Sequence, residues 1–416
     1  MANKLSRKDT IPGYIYALDG LRAVSLILIF IFHSWQQSWI FYQIKLPNDK
    51  FLLNLELFQR YGYIAIDSFF VLSGFCLFYP IARTMFGESK PTTWKEFYIK
   101  RLRRILPGYY LMLILLLIFP ILSYHPFDIH STSEMIKQYG LHALFLHIYN
   151  KSTTMTVIGT AWTLGIEAAF YVIFPAIATA FKKKPILTFI VLFIIGQGTR
   201  LFSAFYLPDA SNTIQAIPLA YFDIFGVGML SAYFAVYARH NLDMNKLKWF
   251  MTALSIVCLV SVYYFMKWMS ANNIGGLDSV TYFRWFFRII VCTILAIFIF
   301  SAAYSIDLWS RKILGNKFFV FMSTISYSFF LWHQNINIFF KEAHVPYTTS
   351  NPVMNDRAAM DWYVVLTIIT SIAIAAASTY LVEMPIARYG YKGYFKNIIN
   401  GIKAAPVKIK EAIKNA

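Results

Sequence analysis

Residues 17–38 read ALDGLRAVSLILIFIFHSWQQS. About 20 mostly apolar residues suffice for a helix to cross a bilayer core, and this run is long enough. Two ionisable side chains, Arg22 and His33, lie inside it. Charges are costly at such positions unless paired or hydrated, so each is a functional candidate.

The same texture runs through the chain. Of 416 residues, 58% are hydrophobic and only 14% charged, with a mean hydropathy of +0.53. Soluble domains carry about 25% charged residues. The deficit excludes an ordinary cytosolic or secreted enzyme, and the apolar content excludes disorder. A net charge of +18 raises nucleic acid as a partner, but so apolar a chain presents no groove-binding surface. In a membrane protein, excess Lys and Arg orient the chain instead. Cys76, Cys258 and Cys292 lie in apolar stretches and read as small buried hydrophobes rather than a disulfide or zinc framework. The first apolar run continues into a full span, so it does not read as a cleavable signal.

Ten segments are expected to span: 17–38, 61–80, 105–122, 157–180, 185–206, 214–237, 249–268, 283–304, 318–340 and 361–382. Residues 140–149 are too short and read as an interfacial or re-entrant piece. With the N-terminus inside, the larger share of the 38 Lys and Arg, including Lys4, Arg7 and Lys8, falls on the inner side. The expected fold is therefore all-α, a polytopic transmembrane helix bundle of about ten spans with both termini cytoplasmic. Residues 1–390 form one membrane domain, and 391–416 form a basic cytoplasmic tail. That tail (Lys392, Lys396, Lys403, Lys408, Lys410, Lys414) either lies on the anionic leaflet or is simply solvated. His125, His130, His142 and His147 share the longest outer loop, but their spacing is irregular and no metal site is expected.

Polar residues inside spans form two groups. Arg22 and His33 are eleven residues apart, which returns to the same helix face about 16 Å along the axis. Asp67, Glu167 and His333 fall with His33 in the outer half of the membrane by the same rise per residue. Together they point to a polar cavity open to the outside, although any one alone could be an interhelical hydrogen bond. The second group is YIKRLRRILPGYY, residues 98–110. Lys100, Arg101, Arg103 and Arg104 precede Pro107, with Arg101 and Arg104 on one helix face. Guanidinium forks match phosphate geometry, and a plain topology anchor is the alternative.

These stretches resemble the acyltransferase-3 family of membrane acyltransferases, which modify sugars and related acceptors in bacterial envelopes. ALDGLRAVSLILIFIFHSW, AIDSFFVLSGFCL, RLRR before ILPGYY, AWTLGIEAAFYVIFP, SYSFFLWH and VEMPIAR occur in family order from about residue 14 to about 390. The resemblance implies that Arg22 and His33 form the Arg-x10-His signature needed for activity. It implies that Arg101 and Arg104 form the Arg-x-x-Arg pair associated with the acyl donor. Glu167 falls in the Trp-x-Leu-x-x-Glu segment, Ser73 and Gly74 in Ser-Gly-Phe. Ala65-Ile66-Asp67 departs from the frequent Gly-Val-Asp, and no hydrolase-like C-terminal domain follows, as it does in many relatives.

The expectation is an acyl-CoA-dependent transferase, acetyl-CoA being the expected donor, in a bacterial cytoplasmic (inner) membrane. Arg101, Arg104, Arg103 and Lys100 hold the phosphates, and the thioester arm passes Arg22 toward His33. His33 acts as general base on a hydroxyl of a lipid-linked or envelope glycan, such as lipopolysaccharide, exopolysaccharide or peptidoglycan. Asp67 or Glu167 orients the imidazole, and His333 and Trp162 line the acceptor side. Direct transfer is preferred to an acyl-enzyme, with Ser73 read as a packing notch rather than a nucleophile. Two rivals stand beside this: a proton-coupled transporter, and a donor module passing acyl groups to a separate periplasmic transferase.

Overall fold

The computed structural model describes residues 14–45, 51–122, 131–207, 217–272, 287–347 and 357–414. The inner-side residues Lys4, Arg7 and Lys8, and His125 and His130, lie outside these. Helix α1 (Ala17–Ser38) leads into a small antiparallel ribbon, β1 (Gln43–Lys45) with β2 (Phe51–Asn54), and the short α2 (Glu56–Tyr61). Then come α3 (Ala65–Met85), α4 (Trp94–Ile118), α5 (Thr132–Ala143), α6 (Trp162–Lys183) and α7 (Pro185–Tyr206). They are followed by α8 (Phe222–Asn241), α9 (Met244–Ala271), α10 (Arg288–Ala303), α11 (Lys317–Glu342), α12 (Arg357–Ser378) and α13 (Met384–Lys414).

Each of the ten expected segments overlaps one of these helices; residues 214–216 and 283–286 of two of them lie outside the described residues. Among the described residues, seven stretches are long and apolar enough to cross a membrane: Ala17–Ser38, Glu56–Met85, Trp162–Lys183, Pro185–Tyr206, Pro218–Asn241, Met244–Ala271 and Ala358–Asn397. The chain is thus built as an integral membrane protein. The other three expected spans lie on α4, α10 and α11. Helix α10 has only 16 residues, α4 begins with a basic turn, and α11 is rich in hydroxyl and amide side chains. Polarity of that kind in a buried helix marks a site rather than a lipid face. The segment 140–149 is the end of α5 followed by a single turn, His147–Tyr149. Tyr109 and Tyr110 on α4 donate to the carbonyls of His142 (2.9 Å) and Ala143 (3.0 Å), so this piece is stapled to α4.

Local signals start and stop the helices. Thr93 accepts from the Glu96 amide at the head of α4, and Asn316 from the Phe319 amide at the head of α11. Pro185 opens α7 at the first turn, where its missing N–H costs nothing. In α13 the backbone breaks at Gly390 (φ 70°), where a Cβ would stand 3.0 Å from the Arg103 guanidinium.

Two helix contacts set the frame of the site. Helices α3 and α8 touch backbone to backbone: a Cβ on Gly74 would lie 2.2 Å from the Phe225 carbonyl oxygen. One on Gly228 would lie 2.1 Å from that of Val71. Small residues permit this approach. Helices α1 and α11 run parallel and in register. Arg22 Nη1 donates to Ser323 Oγ (3.4 Å), and His33 Nδ1 meets Gln334 Nε2 (3.3 Å), both pairs 301 residues apart. Ser34 and Asn337 continue the seam at 3.3 Å.

Two buried ion pairs lie elsewhere among the described residues. Arg288 of α10 forks onto Asp67 of α3 and lies 4.2 Å over the Tyr221 ring, and Arg200 of α7 forks onto Asp223 of α8. All four side chains are buried. Glu383 accepts from Ser328 and Ser378, tying the turn after α12 to α11.

Candidate active site

A cavity with an empty volume of about 810 Å³ opens between α1, α3, α4, α6 and α11. One end is basic. Arg22 enters from α1, and Arg101 and Arg104 enter from one face of α4, as their three-residue spacing requires. Arg22 also donates to Cys76 Sγ (3.6 Å). Arg101 rests against the rings of Phe97 (5.6 Å) and Tyr171 (5.8 Å), which face its guanidinium with π density. Arg104 remains exposed and lines the same cavity. Three guanidiniums with donors to spare, converging on one space, have the chemistry to hold an anion.

The middle of the wall is polar. Ser73 donates to Glu167 Oε1, and Tyr171 donates to Glu167 Oε2 at 3.3 Å. The other end is apolar, lined by Ile66, Phe69, Phe70, Leu164 and Phe330.

One turn beyond Phe330, His33 and His333 face each other with ring centroids 5.3 Å apart. His333 Nδ1 lies 2.9 Å from the Phe330 carbonyl and 3.1 Å from that of Phe329. Carbonyls only accept, so the neutral ring carries its proton on Nδ1 and its lone pair on Nε2. That Nε2 is buried and meets no hydrogen-bond partner among the described residues. His33 Nδ1 is 2.8 Å from Gln36 Oε1, closer than Gln334 Nε2 at 3.3 Å. The shorter contact assigns the Nδ1 proton to Gln36 and leaves Nε2 as the basic atom. His33 and Gln36 keep part of their surface accessible, whereas His333 and Gln334 are buried behind them.

The structure therefore unites Arg22, Arg101, Arg104 and Glu167 in one cavity and places the His33–His333 pair just past its apolar end. It separates the rest. Asp67 is committed to Arg288 and does not orient the His33 imidazole, because it faces α10. Glu167 likewise does not serve His33, because its two oxygens face Ser73 and Tyr171. The partner of His33 is an amide, Gln36, one helical turn along the same face. Arg103 points away from the cavity to the Gly390 break, and Lys100 is exposed and off the cavity wall. Trp162 packs near Phe70 (6.3 Å) and Tyr221 (6.2 Å) rather than beside the histidines. Ser73 is not the packing notch; its neighbour Gly74 is, and Ser73 faces the cavity. Gln36, Gln334 and Tyr171 were missed by sequence reasoning. Amides beside both histidines, in HSWQQ and WHQN, were the available signal.

The stacked rings of His142 and His147 (centroids 4.2 Å, 11°) form a separate pair on the segment after α4. Burial pushes their imidazoles down to about 3 and about 4, so both are neutral. Among the described residues no group of three or more His, Cys, Asp or Glu gathers as a metal site.

Comparison with known proteins returns the family model described as acyltransferase domain over residues 15–382. The chain is 25% identical over 407 residues to the peptidoglycan O-acetyltransferase OatA of Listeria monocytogenes serovar 1/2a, covering 92% of this chain and 57% of that protein. It is 23% identical over 410 residues to the putative peptidoglycan O-acetyltransferase YrhL of Bacillus subtilis strain 168, covering 92% and 57%. It is 23% identical over 394 residues to the O-acetyltransferase OatA of Staphylococcus aureus strain NCTC 8325 / PS 47, covering 92% and 59%. The chain thus spans less than three-fifths of the length of these curated relatives. No solved structure matches it. With the signature residues of the sequence gathered around one cavity and the family model covering most of its length, the chain belongs to the acyltransferase-3 family.

Proposed function

We propose that the chain is a membrane O-acetyltransferase of the bacterial cytoplasmic membrane, moving an acetyl group from acetyl-CoA to a hydroxyl of an envelope glycan. The observation that carries this reading is the order of groups along one line: three arginines, a cavity, then a pair of neutral-tautomer histidines. Each step has a residue. Arg101, Arg104 and Arg22 hold the anionic end of the donor. The cavity holds a neutral arm, and its apolar end excludes water from the thioester. His33 Nε2 takes the acceptor hydroxyl proton as the hydroxyl attacks the acyl carbon; the proton then passes to the departing thiolate. Gln36 holds the ring in the basic tautomer. An amide cannot stabilise an imidazolium as a carboxylate does, so His33 returns its proton readily.

In this reading the arginine end faces the cytoplasm, where CoA is made, and the histidine end faces outward. The relatives carry peptidoglycan O-acetyltransferase among their names, so peptidoglycan is the first acceptor to test. Lipopolysaccharide or exopolysaccharide sugars share the same chemistry.

The test is reconstitution of the purified chain in vesicles with labelled acetyl-CoA, following both CoA thiol release and label on added glycan. Release that depends on glycan and vanishes in His33→Ala supports the reading. Absence of CoA release with every acceptor overturns it and favours a transporter. Release without glycan labelling until a second protein is added identifies a donor module instead.

A further inference from the structure

We infer that Ser73 and Glu167 form a polar waist that grips the amide-bearing arm of a CoA thioester and stops its phosphates from going further. This rests on the donor reading above and assigns the carboxylate a place in it.

The position of the waist follows from the cavity wall. On α3 the lining residues run from Ile66 to Leu77, about 16 Å at helical rise. Ser73 lies four residues, about 6 Å, from the Leu77 end. On α6 the wall runs from Thr163 to Tyr171, and Glu167 is midway. Arg101 lies against Tyr171, so the basic end is on the Tyr171 side of the waist. Phe330, one turn before His333, marks the other side. The arm of CoA between phosphate and sulfur is about a dozen bonds long, or about 15 Å when extended like a peptide backbone. Phosphates held at the arginines therefore place the sulfur near Phe330 and the histidine pair. The arm must cross the waist.

The chemistry of the waist suits that arm. Glu167 accepts from Ser73 and Tyr171, while a carboxylate has about four acceptor positions. Ser73 Oγ retains acceptor capacity as well. The arm offers two amide N–H groups and one hydroxyl. Ser73 and Glu167 both keep accessible surface on the cavity, where a purely structural clamp between α3 and α6 would be sealed. A carboxylate on the wall also repels phosphate, so the neutral arm passes it while the phosphates stay at the arginines. The waist thereby sets how deep the donor sits, which fixes the acyl carbon relative to His33.

The experiment is calorimetric titration of the detergent-solubilised full chain with two probes, CoA and 3′-phospho-ADP, the latter being CoA without its arm. Glu167→Gln keeps shape and removes charge; Ser73→Ala is the second variant, and thermal unfolding checks that each is folded. Both variants are expected to lose on the order of tenfold in affinity for CoA; Ser73→Ala keeps its affinity for 3′-phospho-ADP, and Glu167→Gln keeps or slightly gains it. Arg104→Ala is expected to lose affinity for both probes. Equal loss for both probes in Glu167→Gln and Ser73→Ala, or no loss for CoA, overturns the waist while leaving the donor reading standing. Failure of the unaltered chain to bind either probe overturns the donor reading itself.

Discussion

His33 and His333 meet ring to ring at 5.3 Å, yet they differ in access: His33 keeps accessible surface and a side-chain amide partner, while His333 is buried and held by backbone carbonyls. In the proposed reaction the more accessible ring touches the acceptor and the buried one holds its neighbour. General-base contributions run about 10²–10⁴-fold. His33→Ala is expected to lower turnover by at least about 10³-fold, whereas His333→Gln costs about tenfold through loss of positioning. Single-turnover transfer from labelled acetyl-CoA distinguishes the two; equal losses would show that both rings handle the proton.

Arg101 lies on two aromatic faces and Arg104 faces open cavity. Lys cannot reproduce the guanidinium fork. Arg104→Lys is expected to raise the Kd for CoA by about 10-fold and Arg104→Ala by up to about 100-fold, the range for charge-assisted hydrogen bonds. Arg103→Ala, off the cavity, is expected to leave that Kd within about twofold, since a charge outside the site is largely screened. Fluorescence titration with CoA reads all three.

Asp67 and Arg288 are buried together. Removing one partner of such a pair strands the other charge and costs about 3–5 kcal/mol. Asp67→Asn should therefore lower the unfolding temperature strongly. A double replacement, Asp67→Asn with Arg288→Met, should recover much of the loss. Recovery would establish Asp67 as a structural partner; failure of activity to return with stability would give it a further role.

Glycine positions offer a packing test. Gly74→Ala and Gly228→Ala place a Cβ about 2 Å from a facing backbone oxygen, so α3 and α8 must separate, at about 1–3 kcal/mol or more each. Gly198→Ala meets nothing within 4 Å and is expected to be neutral or slightly stabilising. Thermal unfolding in detergent measures the difference.

The His142–His147 stack carries a pH dependence whose sign is fixed. Burial holds both groups well below their ordinary value of 6.5, so the folded chain favours their neutral forms. Their contribution to stability is fully present above about pH 6.5 and is lost as pH falls toward about 4. The unfolding temperature should decline across that window, and His142→Phe should flatten the decline. An unchanged profile would show that the stack does not couple to folding.

Much of this arrangement was legible in the sequence because two periodicities are strict. Arg22 and His33 return to one helix face after eleven residues, and Arg101 and Arg104 after three, and both pairs face inward as expected. Rotation between helices was not legible. Asp67 lies on α3, whose azimuth is set by the Gly74 and Gly228 contacts with α8, and Glu167 on α6, where Gly165 packs against Ile148; the sequence alone does not say which neighbour such a carboxylate faces. Their partners, Arg288 and Ser73, are 221 and 94 residues away. Similarly, Lys100 and Arg103 share a basic run with Arg101 and Arg104 but project from other sides of the helix.

The shared 301-residue offset along α1 and α11 works as a fixed gauge. Sliding one helix past the other by a single turn would break Arg22 from Ser323 and His33 from Gln334 at the same moment. In the proposed reaction, the spacing between the donor's anionic end and the point of transfer is therefore held by one two-helix rail.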